Sequence, residues 1–324
     1  MFKTKIGNLD LETCIYNASG VYCVEFGELL KLADPGFSNS VILTKSCTLE
    51  PRIGNNLPRY YDTKLLSINS SGLPNLGYQF YCDNAHIIKE HSEFKKPYIL
   101  SISGLTLEDN YKIITEAVNN NFIDGIELNL SCPNVIGKPQ VGYDFTIMEE
   151  IIRKASEIIE TGRDARLESG SGFLFGLKLP PYFDISHFDM ACDIINNSNV
   201  QSLTCINSIG NGLVIDTEKE LVAIAPKNGY GGIGGTVIKP TALANVHYFY
   251  RNTKCSIIGC GGISRGMDAF EHILCGASAV QIGTHFHKKR NVCFKEILTE
   301  LGSIMKSKNY KTIDDFRGKL VHYK

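Results

Sequence analysis

Eight apolar stretches of four to six residues punctuate the chain, at 41–44, 65–69, 98–102, 125–130, 173–178, 202–206, 256–259 and 279–283. Segments of helical periodicity lie between them, over 25–33, 78–94, 107–120, 143–160, 186–196, 241–250 and 266–275. Strands separated by a helix run parallel, and eight such units suit closure into a barrel better than an open sheet. The expected fold is therefore α/β, a (β/α)8 TIM barrel forming one domain over residues 1–324. An N-terminal β-hairpin is expected to cap one end, with 2–6 and 11–16 flanking Gly7-Asn8-Leu9-Asp10. Inserted loops are expected at the C-terminal rim, and Glu168-Ser169-Gly170-Ser171-Gly172 reads as a flexible surface insertion.

The charge balance narrows the partners. Lys plus Arg number 33 and Asp plus Glu 34, a net charge of −1, so no basic excess points to nucleic acid or an anionic membrane. No apolar run approaches the roughly 20 residues of a membrane span, and the first residues lack a signal-peptide core. A cytoplasmic protein is expected. The 11 cysteines are scattered without CxxC spacing, which withholds support from zinc-ribbon, iron–sulfur and thioredoxin-type sites. Most read as reduced packing residues, no metal site is expected, and redox chemistry would need a bound organic cofactor.

Polar residues cluster where the apolar stretches end. Lys45-Ser46, Asn69-Ser70-Ser71-Gly72, Ser101 to Gly104, Asn129, Cys132, Lys178, Asn207-Ser208 and Gly259 to Gly262 all take such positions. In a barrel these ends converge on the C-terminal rim, where barrel enzymes place their sites. Cys132 follows the strand-like 125–130 between polar residues, with Pro133 breaking the strand and Asn129 and Asn134 nearby, so its thiol suits chemistry better than packing. Gly259-Cys260-Gly261-Gly262-Ile263 and Gly283-Thr284 each follow an apolar strand and precede a helix, as phosphate-binding corners do after the seventh and eighth strands of a barrel. Gly231-Gly232-Ile233-Gly234-Gly235 can close over the same region. A phosphate there fits either a sugar-phosphate substrate or a flavin mononucleotide, and Lys178 could stabilise the negative charge of a reduced flavin.

Nine strings, in order along nearly the whole chain, closely resemble the dihydroorotate dehydrogenases of the soluble class 1A branch. They are NASG (17–20), TKSCT (44–48), SINSSGLPNLG (67–77), NLSCPNVIGKPQ (129–140), KLPPYFDI (178–185), NSIGNGL (207–213), IKPTALANV (238–246), GCGGI (259–263) and DAFEHILCGAS (268–278). The resemblance implies oxidation of dihydroorotate to orotate in pyrimidine (UMP) biosynthesis, with FMN as hydride acceptor, Cys132 as general base and fumarate as terminal oxidant, reduced to succinate. It implies Lys45, Asn69, Ser71, Gly72, Leu73, Asn129, Asn134, Asn207 and Ser208 as substrate ligands. For FMN it implies Ala18, Gly20, Lys45, Ser46, Asn129, Lys178, Ile206, Gly235, Cys260, Gly261, Gly262, Gly283 and Thr284. A homodimer follows from the same branch.

The chain departs from the family pattern at Ser71, where methionine is usual, at Ile136, where proline is usual, and in a longer 161–172 stretch. His285 and His287 read as solvated helix residues rather than metal ligands. Three other readings stand beside the main one. A class 1B-like catalytic subunit would pass electrons to NAD through a partner. A phosphate-binding barrel lyase or isomerase would explain the glycine corners but not the Cys132 and asparagine set. A non-catalytic flavin scaffold would leave Lys45, Cys132 and Lys178 without a role.

Overall fold

A computed structural model describes residues 1–131, 140–167 and 172–323, the side chains of 163–167 excepted. Eight parallel strands form the central sheet: Ile15–Asn17 (β1), Ile42–Leu43 (β2), Tyr98–Ile102 (β3), Gly125–Asn129 (β4), Leu174–Lys178 (β5), Ser202–Cys205 (β6), Ser256–Cys260 (β7) and Ala277–Ile282 (β8). Ladders join β2 through β8 in sequence order, and β8 pairs with β1 through Val280–Ile15 and Ile282–Asn17. Between β1 and β2 the seam is closed by a side chain. The fully buried Asn17 donates from Nδ2 to the Leu43 carbonyl (2.8 Å) and accepts at Oδ1 from the Leu43 amide (3.3 Å). The Ser40 amide adds a bond to the Ile15 carbonyl (3.0 Å).

Two of the expected strands change place. Ile15–Asn17, expected as the second arm of the hairpin, is the first barrel strand; the hairpin is the tighter pair Thr4–Ile6 and Leu9–Leu11. The 65–69 stretch is not a barrel strand. Leu66–Asn69 pairs antiparallel with Tyr60–Asp62 and Tyr230–Gly235, and the latter with Ile209–Leu213, forming a separate four-stranded sheet. The alternation of its residues is the same in either setting, so periodicity alone does not separate them. The expected 78–94 helix is two, Tyr78–Asp83 and Ala85–His91, and the helix that begins at Phe145 runs on to Leu167. The remainder of the proposed surface insertion, apart from Gly172, lies outside the described residues.

The barrel interior is layered. At its amino end the hairpin acts as a plug, with Ile6 and Leu11 packed among Tyr16, Val41, Leu43, Ile99, Leu174, Ile258 and Ala279. Thr4 Oγ1 and the Gly7 amide tie it to the Ser278 carbonyl (2.9 Å) and Ser256 Oγ (3.0 Å). Above this lies a polar layer of Glu127, Thr204 and Gln281, joined to Lys178. The helices seal the outside through the larger apolar cluster, which includes Leu128, Ile152, Phe175, Leu203 and Phe249. Among the described residues, no helix is long and apolar enough to cross a membrane.

Replacing Asn17 by Ala strands both main-chain groups of Leu43 in the core. Loss of about 2–4 kcal/mol of stability is expected, measured as a lower midpoint in urea unfolding.

Candidate active site

The carboxyl ends of the strands open into a cavity of about 470 Å³, roofed by the four-stranded antiparallel sheet. Lys45 and Ser46, just after β2, are both buried, and Ser46 Oγ meets Ser101 Oγ (2.9 Å) and Ser19 Oγ (3.4 Å). At the end of β4, Asn129 Oδ1 accepts from the Asn207 side chain (3.2 Å) and from the Ser131 amide (3.0 Å). Asn207 Oδ1 in turn accepts from the Ser208 amide (2.9 Å). Asn69 comes from the roof, held by a bond to the Gly232 carbonyl (3.3 Å). Carboxamides from three elements thus face one space, offering both donors and acceptors.

Every expected site residue within the described part of the chain lines this one cavity. That holds for Lys45, Asn69, Ser71, Gly72, Leu73, Asn129, Asn207 and Ser208, and for Ala18, Gly20, Ser46, Lys178, Ile206, Gly235, Cys260, Gly261, Gly262, Gly283 and Thr284. Cys132, Asn134 and Ile136 lie outside the described residues. The described residues on either side of 132–139 are tied together: Ser131 Oγ donates to Gln140 Oε1 (2.9 Å) and the Gly142 amide to the Leu130 carbonyl (2.8 Å).

The glycine corner after β7 is built for close approach. Gly261 and Gly262 have φ of 131° and 77°, and a Cβ on Gly262 would sit 2.9 Å from the Lys239 amide nitrogen. Behind it, Asp268 accepts from the amides of Ser264 (2.9 Å) and Arg265 (3.1 Å) and pairs with Lys239 (2.8 Å). Burial pushes the Asp268 pKa up, but these donors outweigh it and hold the group below the usual carboxylate range. The fully buried His272 donates from Nε2 to the Gly261 carbonyl (3.1 Å), and its ring leaves no room for a Cβ at Gly259. Burial lowers the His272 pKa to about 4, so the ring is neutral under this corner.

Lys178, 4% exposed, ends β5 at the cavity floor. Its Nζ donates to Gln281 Oε1 (2.8 Å) and approaches Cys260 Sγ (3.4 Å). Burial works against its charge, but the Cys260 sulfur and the Glu127 carboxylate more than offset it and raise the pKa above lysine's ordinary value.

The sequence profile of dihydroorotate dehydrogenase matches residues 1–305. A Streptococcus equi subsp. equi protein named for dihydroorotate dehydrogenase A (fumarate) is 48% identical over 321 residues, 98% of each chain. Proteins of the same name from Streptococcus pyogenes and Streptococcus agalactiae are also 48% identical, over 319 and 320 residues, covering 98% of this chain and 97% and 98% of theirs. The chain belongs to the dihydroorotate dehydrogenase family, and within it to class 1A. A crystal structure of DHODH from Eimeria tenella in complex with ferulenol has the same fold: TM-score 0.79 at 20% identity, over 98% of this chain and 88% of that one.

Dihydroorotate dehydrogenases are flavin-dependent enzymes, and the cavity fits such a group. Its volume lies within the roughly 300–1,000 Å³ of cofactor and ligand pockets. A glycine cradle suits a phosphate at one end and a buried ammonium suits an electron-rich ring at the floor. Sequence reasoning overlooked Gln281, which reads as one polar residue within an apolar strand. It also mistook His285 and His287 for solvated residues. Both are half-buried, with pKa values lowered by burial, and His287 stacks on Tyr22 (5.6 Å) and packs against Tyr60 (4.3 Å). Their (i, i+2) spacing on a short helix gave no hint of the aromatic neighbours.

The neutral His272 predicts acid sensitivity. Folded, its ring takes a proton only near pH 4, whereas an unfolded chain takes one near 6.5. The stability it protects is complete above pH 6.5 and is lost as the pH falls toward 4, by up to roughly 3 kcal/mol. Denaturant titrations of His272→Gln across that window should show a flatter pH dependence than the parent.

Proposed function

We propose that the chain oxidises (S)-dihydroorotate to orotate with FMN as hydride acceptor and fumarate as the final oxidant. The observation that carries this reading is the convergence of the carboxamide set and the glycine corner on one cavity, with Lys178 at its floor, in a chain of this family. FMN held there would supply a two-electron acceptor for the hydride on the ring carbon next to the one that loses its proton, and fumarate would take up those electrons to give succinate. Asn69, Asn129, Asn134 and Asn207, with Ser208, match the alternating N–H and C=O edge of the pyrimidine. Lys45 and the backbone amides of Gly72 and Leu73 receive its carboxylate, a role that Ser71 can share through its main chain. Gly72 and Leu73 both adopt left-handed backbone (φ 73° and 55°), which turns the chain sharply at the cavity wall. Ala18, Gly20, Lys45, Ser46, Asn129, Lys178, Ile206 and Gly235 would hold the flavin. Cys260, Gly261, Gly262, Gly283 and Thr284 bind the phosphate.

Cys132 removes the proton alpha to the carbonyl. Of the 11 cysteines, ten lie in the described residues, and burial raises the pKa of every one. Cys260, the one of these in the cavity wall, is raised by burial even with Lys178 beside it. Such thiols stay protonated near neutrality and cannot accept the proton; Cys132 matches the family's base, and an ordinary thiol with a reference pKa of about 8.5 suits the task. The protein works in the cytoplasm as a homodimer. Exposed Leu213 on the roof's outer strand, and Ile215 and Leu221 on the two-stranded pair that follows it, supply apolar surface for a second copy.

Anaerobic dihydroorotate should bleach the yellow flavin of the purified protein, and fumarate, not NAD, should restore the colour. Recovery by NAD through a partner subunit would indicate the class 1B arrangement, and a colourless protein with no affinity for FMN would remove the assignment. Cys132→Ala should retain the flavin and bleach about 10²–10⁴-fold more slowly.

A further inference from the structure

Glu127 sits two residues before Asn129 on β4, inside the barrel and 5% exposed. A carboxylate so placed is costly unless it answers a charge nearby. Its Oε2 accepts from Thr204 Oγ1 (2.8 Å) and from Gln281 Nε2 (2.5 Å), while Oε1 meets no donor among the described residues. The other end of the Gln281 carboxamide accepts from Lys178 Nζ (2.8 Å). An ammonium can only donate, so the oxygen of Gln281 must face Lys178 and its nitrogen must face Glu127. Glu127 therefore accepts, and a single amide spans a buried anion and a buried cation. Lys178 and Gln281 line the cavity; Glu127 lies beneath them.

We propose that Glu127 is a positioning residue for the reaction: acting through Gln281, its carboxylate holds the Lys178 ammonium at the cavity floor and sets the charge balance against which the bound flavin is reduced. The role rests on the flavin reading above. Nothing in the folding of a barrel requires a charge at this depth, since the layer beneath is apolar and well packed. The charge is explained by the cation it faces. A negative group under the flavin opposes the electrons the ring takes up, so its removal should ease reduction.

Quenching of FMN fluorescence on titration with the apoprotein comes first, because a parent protein that fails to bind FMN removes both readings. Glu127→Gln keeps an oxygen to accept the same two bonds and deletes only the charge. In the FMN-bound variant at pH 6.5 the midpoint potential should rise, displacing the equilibrium at least tenfold toward reduced flavin, about 30 mV for a two-electron couple. A potential equal to that of the parent protein, or lower, overturns the proposal while leaving the flavin assignment intact. Should that variant fail to fold, Gln281→Met decides the matter, since it leaves Glu127 in place and cuts the link. It should bind FMN at least tenfold more weakly and shift the visible absorption maximum, and parental values of both would overturn the proposal.

Discussion

A charged lysine inside a barrel is the constraint around which this molecule is built. Removing an ammonium from water costs several kcal/mol even after relaxation, so Lys178 is tolerable only with fixed acceptors at hand. Gln281 at 2.8 Å and the Cys260 sulfur at 3.4 Å supply them, with the Glu127 carboxylate one residue further in. These groups come from β4, β5, β7 and β8, so their meeting depends on a closed sheet in correct register. Closure depends on Asn17, whose carboxamide substitutes for a missing ladder between the first and second strands. The hairpin plug keeps the layer beneath apolar and so separates the charges from solvent at the amino end.

The upper half of the site obeys a different logic. Its roof is an antiparallel sheet assembled from two excursions far apart in sequence, 60–69 and 209–235. Asn69 hangs from that roof, while Asn129 and Asn207 rise from the barrel. The cavity is therefore bounded by two separate sheets. The glycine corner belongs wholly to the barrel side and is buttressed from behind by His272, Asp268 and Lys239.

Much of this was legible in the chain. Polar residues at the ends of apolar stretches marked the rim, because a parallel strand buried on both faces reads as a mostly apolar run and polarity gathers where it emerges. The glycine corners were legible because close backbone approach admits few other residues. Leu66–Asn69 was misplaced because a strand of four residues has the same alternation in a roof as in a barrel. Ile15–Asn17 was missed because it follows the hairpin after only three residues, 12–14, and the two apolar stretches merge into one. Glu127 and Gln281 were invisible as a pair, since they are joined by 154 positions of sequence separation and by one hydrogen bond in space. The aromatic surroundings of His287 likewise come from Tyr22 and Tyr60, which only the fold brings near.

The seating of these opposite charges on separate strands bears on how such a barrel could arise or be divided. A cut between β4 and β5 would leave Glu127 in one fragment and Lys178 with Gln281 in the other. Each half would then carry an uncompensated ion in what should be its interior, a strongly unfavourable state. Half-barrels of this sequence are thus poor candidates for independent modules, and the polar layer makes the whole cylinder the smallest unit that can exist with its charges answered.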